Sequence, residues 1–345
     1  MRKFIFKISY FILIPLGISI MLDFIVSNKL KRSSDRPWEN EVWNDIYKNN
    51  INADIAIYGS STAWSHFDPK IIENSLNIPC YNFGLDGANF LWQYLRHIEY
   101  FKYNNHPKLI ILSVDCNTFE KREVNPTKQF LPYMLWNFNI YKTLKLHKKM
   151  NNGVDFLIPM IRYFDINIID NFKSLLNVNK NETYSETFNK VFKIQKSGKF
   201  RYKGYRGINL EWTSDLEKAK KKFSDYKIGI DTTLISLLEN FIFEVNKKNI
   251  DLILIHSPTY IKGQNFVKNR NEIISLYEKI STKHNIPFLD YSYSSISYKK
   301  ELFFNTNHLN KKGSEIFTKQ LIDDLQKHKR TARYISNPSV TSHSH

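Results

Sequence analysis

Five short apolar runs, each stopped by a glycine or a polar turn, constrain this chain more than any other feature. Asp54–Tyr58 (DIAIY) ends at Gly59, Pro79–Phe83 at Gly84, and Leu109–Val114 (LIILSV) at Asp115. Asp251–His256 (DLILIH) and a weaker run, Pro287–Tyr291, follow after a long interval. Apolar runs of this length without alternation are the pattern of strands covered on both faces. Helical patterns lie between them. Asp68-Pro69 reads as an N-cap and first helical residue. Phe90, Tyr94, Leu95, Ile98 and Phe101 mark one helix face, Leu234, Leu237, Leu238 and Phe241 another. Phe317, Leu321 and Leu325 fall four apart in a final helix. Strands alternating with helices predict an α/β fold: a flavodoxin-like three-layer sandwich around a mainly parallel five-stranded sheet.

The amino-terminal stretch is of another kind. Phe4–Val26 is apolar apart from Lys7 and Asp23, close to the length an apolar helix needs to cross a bilayer. Arg2, Lys3 and Lys7 at its start favour a cytoplasmic amino terminus, while Lys29, Lys31 and Arg32 beyond it blur that signal. A cleaved signal peptide is the rival reading, but no small-residue cleavage pattern follows the run. A buried soluble helix is the third. The expectation is an uncleaved transmembrane anchor over 1–27, single-pass in the cell membrane, with the main domain extracytoplasmic. A polar juxtamembrane linker over 28–52, leading into short helices, carries Pro37 and two tryptophans. The α/β domain then runs over 53–329, interrupted at about 118–231. That interruption is rich in aromatics and lysine, including Tyr133, Trp136, Phe138 and Tyr141, and holds a short apolar run, Phe156–Ile161. It reads as a largely helical insertion over the sheet's active edge, or as a decoration that only adds core. The tail, 330–345, lacks periodicity and is expected to be disordered.

With 50 basic and 33 acidic residues, the formal net charge is +17. The lysines are scattered, and no zinc-finger spacing or RNP-like motif appears, so nucleic acid is not an expected partner. An anionic membrane surface or an acidic glycan suits such a surface. Cys80 and Cys116 make no disulfide framework and read as free, buried thiols. No cluster has zinc or calcium spacing, and no cofactor is implied.

In an open parallel sheet, ligands bind beyond the carboxyl ends of the strands. Those ends are Gly59-Ser60-Ser61, Gly84-Leu85-Asp86-Gly87, Asp115-Cys116-Asn117 and His256-Ser257, and the fifth run leads on to Asn305-Thr306-Asn307-His308. A serine, glycine turns and a histidine at one edge are the parts for nucleophilic acyl transfer. Gly59 permits a tight exit from the strand, so Ser61 can attack an ester carbonyl while its own amide helps to bind the oxyanion. Each turn taken singly also fits ordinary turn chemistry. His66, five residues after Ser61, and His256, at the end of a strand, are further candidates for the site's surroundings.

Read in order, these segments resemble the SGNH or GDSL-like hydrolases, in particular a branch of membrane-anchored proteins of cell-surface polysaccharide and teichoic acid O-acyl modification. IAIYGSSTAWSHFDP is similar to that family's first block, which implies Ser61 as nucleophile with Ser60 beside it. YNFGLDGAN resembles the second block and implies Gly87 as an oxyanion donor; FFNTNHLNKKG resembles the last and implies His308 as base. The sequence departs from the pattern twice. Asp115 stands nearest to the family's oxyanion asparagine, with Asn117 two residues on, and Asn305 stands where the family has aspartate before His308. An ionised carboxylate cannot donate a hydrogen bond, and an asparagine cannot stabilise an imidazolium. The resemblance thus implies a serine esterase or O-acyltransferase acting on acylated cell-surface glycans through a Ser61 acyl-enzyme, with a multi-spanning acyl donor as a partner. The departures keep open a Ser–His dyad, a substitute carboxylate, or an inactive glycan-binding or partner module.

Overall fold

The computed structural model describes residues 2–32, 37–121, 127–146, 153–163, 201–210, 212–223 and 226–327. In chain order its elements are α1 (Arg2–Leu30), α2 (Pro37–Tyr47), β1 (Ile55–Gly59), α3 (Ser61–His66), α4 (Pro69–Leu76), β2 (Cys80–Asn82), α5 (Phe90–Tyr103) and β3 (Leu109–Ser113). Then come α6 (Thr127–Met134), α7 (Phe138–Leu146), α8 (Val154–Leu157), α9 (Asp215–Lys222), α10 (Thr232–Lys247), β4 (Asp251–His256), α11 (Ile261–Gln264), α12 (Arg270–His284), β5 (Phe288–Asp290) and α13 (Lys311–Lys327). They divide into two compact units: Met1–Asn40 with Val124–Ile194, and Glu41–Glu123 with Gln195–His345.

The larger unit is built on a five-stranded sheet of order β2-β1-β3-β4-β5. All four pairings are parallel, as the unbroken apolar runs predict. Strand alternation sends Ile55, Ile57, Ile111, Ile253 and Ile255 into one layer, where they meet Phe67 and Ile72 and the Phe317, Leu321 and Leu325 stripe of α13. Tyr58 points the other way, onto Phe241 of α10 and Phe83. Helices therefore cover both faces, which is the three-layer arrangement expected. Each fully buried side chain of this size contributes about 1.5–3 kcal/mol. The central strands match their apolar runs to within a residue, whereas the edge strands β2 and β5 have three residues each, fewer than their runs. Strand order reverses direction between β1 and β3, and this switch point opens the crevice in which such sheets bind ligands.

The stretch expected as a linker carries α2, whose Val42, Trp43 and Ile46 are fully buried. Trp43 lies 4.7 Å from the buried Arg96 guanidinium, so this helix is core rather than spacer. The smaller unit joins α1 to α6–α8 and a 3₁₀ turn at Ile161–Tyr163. Within α1, Phe6–Leu30 is 25 residues long with a mean hydropathy of 2.1, long and apolar enough to cross a membrane. The expected tail lies outside the described residues, as does much of the expected insertion.

Candidate active site

The β1–α3 turn is tight because Gly59 makes it so. Its φ is +146°, and a Cβ there would sit 2.8 Å from Ala63 Cβ, Ser113 Cβ and Ser113 O. Ser60 caps α3, its Oγ accepting the Thr62 N–H at 3.4 Å. Ser61 is the first residue of α3, so its own N–H has no intrahelical partner. Its Oγ lies 2.7 Å from His308 Nε2, although 247 positions separate the two residues.

The loop holding His308 is fixed by Asn305. The Oδ1 of Asn305 accepts the backbone N–H of Asn307 at 3.0 Å and of His308 at 2.9 Å, and faces His308 Nδ1 at 2.9 Å. Two backbone donors leave no doubt which amide atom points inward, since Nδ2 there would oppose both. His308 Nδ1 must then carry the ring proton, and Nε2 presents its lone pair to the Ser61 hydroxyl. The asparagine thus sets the tautomer a general base needs. It supplies no charge. Burial lowers the His308 pKa to about 4, the Asp115 and Asp215 carboxylates only partly opposing it, so the imidazole is neutral at pH 7.

His66 stands beside His308, ring centroids 6.2 Å apart, but is committed elsewhere. Its Nε2 accepts the Leu309 N–H at 2.9 Å, which puts the proton on Nδ1, where it is donated to Ser257 Oγ at 2.8 Å. Fully buried and held neutral by that burial, it clamps the chain next to His308.

Among the described residues, Asp115 accepts in every side-chain hydrogen bond it makes. Ser60 Oγ donates to Oδ2, Asn117 N–H to Oδ1 at 2.7 Å, and Thr62 and Thr118 hydroxyls approach at 3.4 Å. It offers an oxyanion nothing. Asn117, by contrast, lines the cavity at Ser61, and its carboxamide makes no hydrogen bond among the described residues. Gly87 lines the same cavity at φ +62°, with open space where a side chain would project.

That cavity holds about 380 Å³. Ser60, Ser61, Gly87, Asp115, Asn117 and His308 all line it, and so does Asn307, while Asn305 stands behind His308. Leu216 and Ala219 of α9, with Phe223, Tyr226 and Phe266, give it an apolar wall. Sequence reasoning did not single out Asp215, Gln264 or Arg270, which also line it. Arg270 is buried; it donates to Ser292 Oγ and approaches His256 Nε2 at 3.4 Å. Only Gln264 carried a sequence signal, its place in the first helix after β4; Asp215 and Arg270 carried none. Cys116 reaches the cavity too, but burial pushes its thiol up to about 12, so it supplies no thiolate nucleophile at neutral pH.

The chain matches no family model and no curated protein. Among solved structures, one similar chain is provisionally described as a platelet activating factor from Streptococcus pneumonia, with 12% identity over 88% of this chain and 98% of that one, TM-score 0.41. Another is provisionally described as a lipolytic protein of the G-D-S-L family from Desulfitobacterium hafniense DCB-2, with 14% identity over 79% and 99%, TM-score 0.36. A third is a GDSL-like lipase from Bacteroides thetaiotaomicron VPI-5482, with 12% identity over 83% and 98%, TM-score 0.33. These likenesses are loose, and the chemistry of the site rests on its own geometry.

Proposed function

We propose that this chain is a serine ester hydrolase or O-acyltransferase of the SGNH type, working on acylated cell-surface glycans from a membrane anchor formed by α1. One observation carries the proposal: Ser61 Oγ sits 2.7 Å from a His308 nitrogen that must be the unprotonated one. In the reaction the Ser61 oxygen attacks the ester carbonyl while His308 Nε2 takes the hydroxyl proton. The N–H groups of Ser61 and Gly87 and the Asn117 carboxamide receive the oxyanion. Collapse of the tetrahedral species breaks the ester bond, and His308 returns the proton to the departing alcohol. Water or a sugar hydroxyl then attacks the acyl-serine, giving its proton to His308; collapse of this second tetrahedral species breaks the acyl–Oγ bond, and His308 returns the proton to Ser61 Oγ.

The apolar wall of Leu216, Ala219, Phe223 and Phe266 favours transfer, because excluding water protects an acyl-enzyme. A multi-spanning acyl donor and an extracytoplasmic placement of the sheet domain complete this reading. A fluorophosphonate probe tests its core. Wild-type protein should be labelled on Ser61 and Ser61→Ala should not, with both equally folded. An unlabelled wild type would leave a binding module that has kept the fold without the chemistry.

A further inference from the structure

Within the smaller unit, α1 is not uniformly bare. From Phe11 to Ile18 its side chains are exposed, but Ser19, Asp23, Val26, Ser27 and Leu30 are covered to varying degrees. Those positions form one face at helical spacing. The chain from Pro159 to Tyr163 covers it. Ser19 Oγ donates to Pro159 O at 3.1 Å, and Met160 N–H donates to Asp23 Oδ2 at 2.7 Å. Arg162 forks onto Asp23, Nη1 to Oδ2 at 2.6 Å and Nη2 to Oδ1 at 2.7 Å. Its Nε donates to Leu131 O at 2.7 Å, and Ser27 Oγ lies 2.7 Å from Tyr163 OH. Asp23 and Arg162 are each only 3% exposed.

The depth of this contact is fixed by helix geometry. At 1.5 Å per residue, Asp23 lies about 10 Å and Ser19 about 16 Å along the axis from Leu30. A bilayer's hydrocarbon core is about 30 Å thick. If Phe6–Leu30 spans it, Pro159 cannot lie in water: it is tied to a residue near the middle of the span. The segment is fit for that place. Non-helical backbone survives in a membrane only where protein satisfies its polar groups. Here Met160 N and Pro159 O bond to α1, Ile161 N to Ile158 O, and Tyr163 N to Met160 O. Charges survive there when paired, as Asp23 and Arg162 are. Apolar side chains point outward from α8 and its neighbours: Leu157 is 59% exposed, Trp136 56%, and Val154, Ile158 and Phe138 are exposed as well, the last with Lys142 Nζ 5.6 Å from its ring. Lys31 sits 5.0 Å from the Tyr133 ring, a lysine–tyrosine pair suited to the headgroup level where α1 ends.

We propose that α8 and the turn to Tyr163 form a re-entrant element that dips into the bilayer beside α1, on the side where α1 ends, with Leu157 and Ile158 against lipid acyl chains. The occupant of this apolar surface is lipid, because the surface is continuous with the membrane-crossing face of α1 and fixed to it at known depth. The inference rests on the anchoring role of α1 and is independent of Ser61 chemistry.

The full chain, with Cys80→Ala and Cys116→Ser, is placed in phosphatidylcholine–phosphatidylglycerol vesicles. Nitroxides are attached at Leu157→Cys, Ile158→Cys and, as a control on the sheet domain, Tyr293→Cys, which replaces an exposed side chain. The nitroxides at 157 and 158 should collide with oxygen and be shielded at least tenfold from a water-soluble nickel complex, relative to 293. Equal access of the nickel complex at all three sites overturns the proposal, and so does shielding from both relaxers, which would mean a protein occupant. Carbonate extraction separates the two layers of the argument. Protein that stays in the pellet with water-exposed nitroxides keeps its anchor and loses the re-entrant element, whereas extracted protein loses both. Asp23→Asn, which leaves Arg162 unpaired, should lower inserted yield, and the pair Asp23→Leu with Arg162→Leu should restore it. Unchanged yield in Asp23→Asn would place the ion pair in water.

Discussion

At the residue scale the unusual member of the site is Asn305. Replacing aspartate by asparagine behind a catalytic histidine costs about 10⁴ in turnover in a serine protease, mainly by selecting the wrong tautomer. Here the Asn307 and His308 backbone donors hold Oδ1 toward the ring, so the tautomer is right and only the charge is missing. Asn305→Asp keeps every acceptor and adds that charge. The variant should turn over a small acetyl ester about tenfold faster or more at pH 7, still well short of the 10⁴ seen where the tautomer is lost as well. Its pH profile supplies the sign. Rate is lost as pH falls through the pKa of the base, so wild-type kcat/KM should hold down to about pH 4, and the variant's acid limb should move upward. An unmoved limb would assign the profile to a group other than His308. The third oxyanion donor is tested separately. Asn117→Ala should lower kcat by about 10²–10³ with little change in KM, the usual cost of losing one such donor. Ser61 was legible because it stands in a short motif at the end of β1, and His308 because it stands in a short polar motif just ahead of the last helix. That Asn117 could supply the donor an ionised Asp115 lacks was legible from residue chemistry alone; that Ser60, Thr62 and Thr118 turn toward the Asp115 carboxylate while the Asn117 carboxamide lines the cavity was not.

Among the elements, β1, β3 and β4 were legible to within a residue because central parallel strands are apolar on both faces. Helix α2 was legible only in part: a short helix was expected there, but its polar residues hid a face made by Val42, Trp43 and Ile46, and only the packing of Trp43 on Arg96 shows what it covers. Helix α9 was hidden for a different reason. It buries Leu216 alone among its residues, so it has no apolar period to read, yet it walls the cavity. The β1–α3 junction gives the element-scale prediction. Gly59→Ala would set a methyl 2.8 Å from Ser113 O and from two Cβ atoms, at a φ that L residues rarely adopt. Overpacking of this kind should cost about 1–3 kcal/mol, and activity should fall further because α3 carries Ser61. Denaturant midpoints measured beside turnover would check both. A variant as stable and active as wild type would mean that β1 and β3 can part without disturbing the site.

For the molecule as a whole, the most consequential pattern is four neutral histidines. His66, His97, His256 and His308 all have pKa values lowered by burial, His308 to about 4. In the unfolded chain each titrates near 6.5. Between the folded and unfolded values the unfolded state binds more protons, so stability rises with pH through that window and is lost as pH falls. Each histidine adds a slope of up to about 1.4 kcal/mol per pH unit there, and above about pH 5 that window lies clear of the range in which exposed carboxylates titrate. The net charge of +17 acts in the same direction, since protonation adds to an existing excess of positive charge. Salt separates the two causes. Self-repulsion between surface charges is screened by 0.5 M salt (Debye length below about 8 Å), whereas the cost of charging an imidazole inside the protein is screened much less. Denaturant titrations of the full chain in detergent should therefore show stability falling from pH 7 to pH 5 at both low and high salt. Loss that disappears in high salt would assign the acid sensitivity to surface charge. Stability that stays flat across the window would mean that the buried imidazoles reach water, and with it that His308 is a stronger base than its surroundings allow.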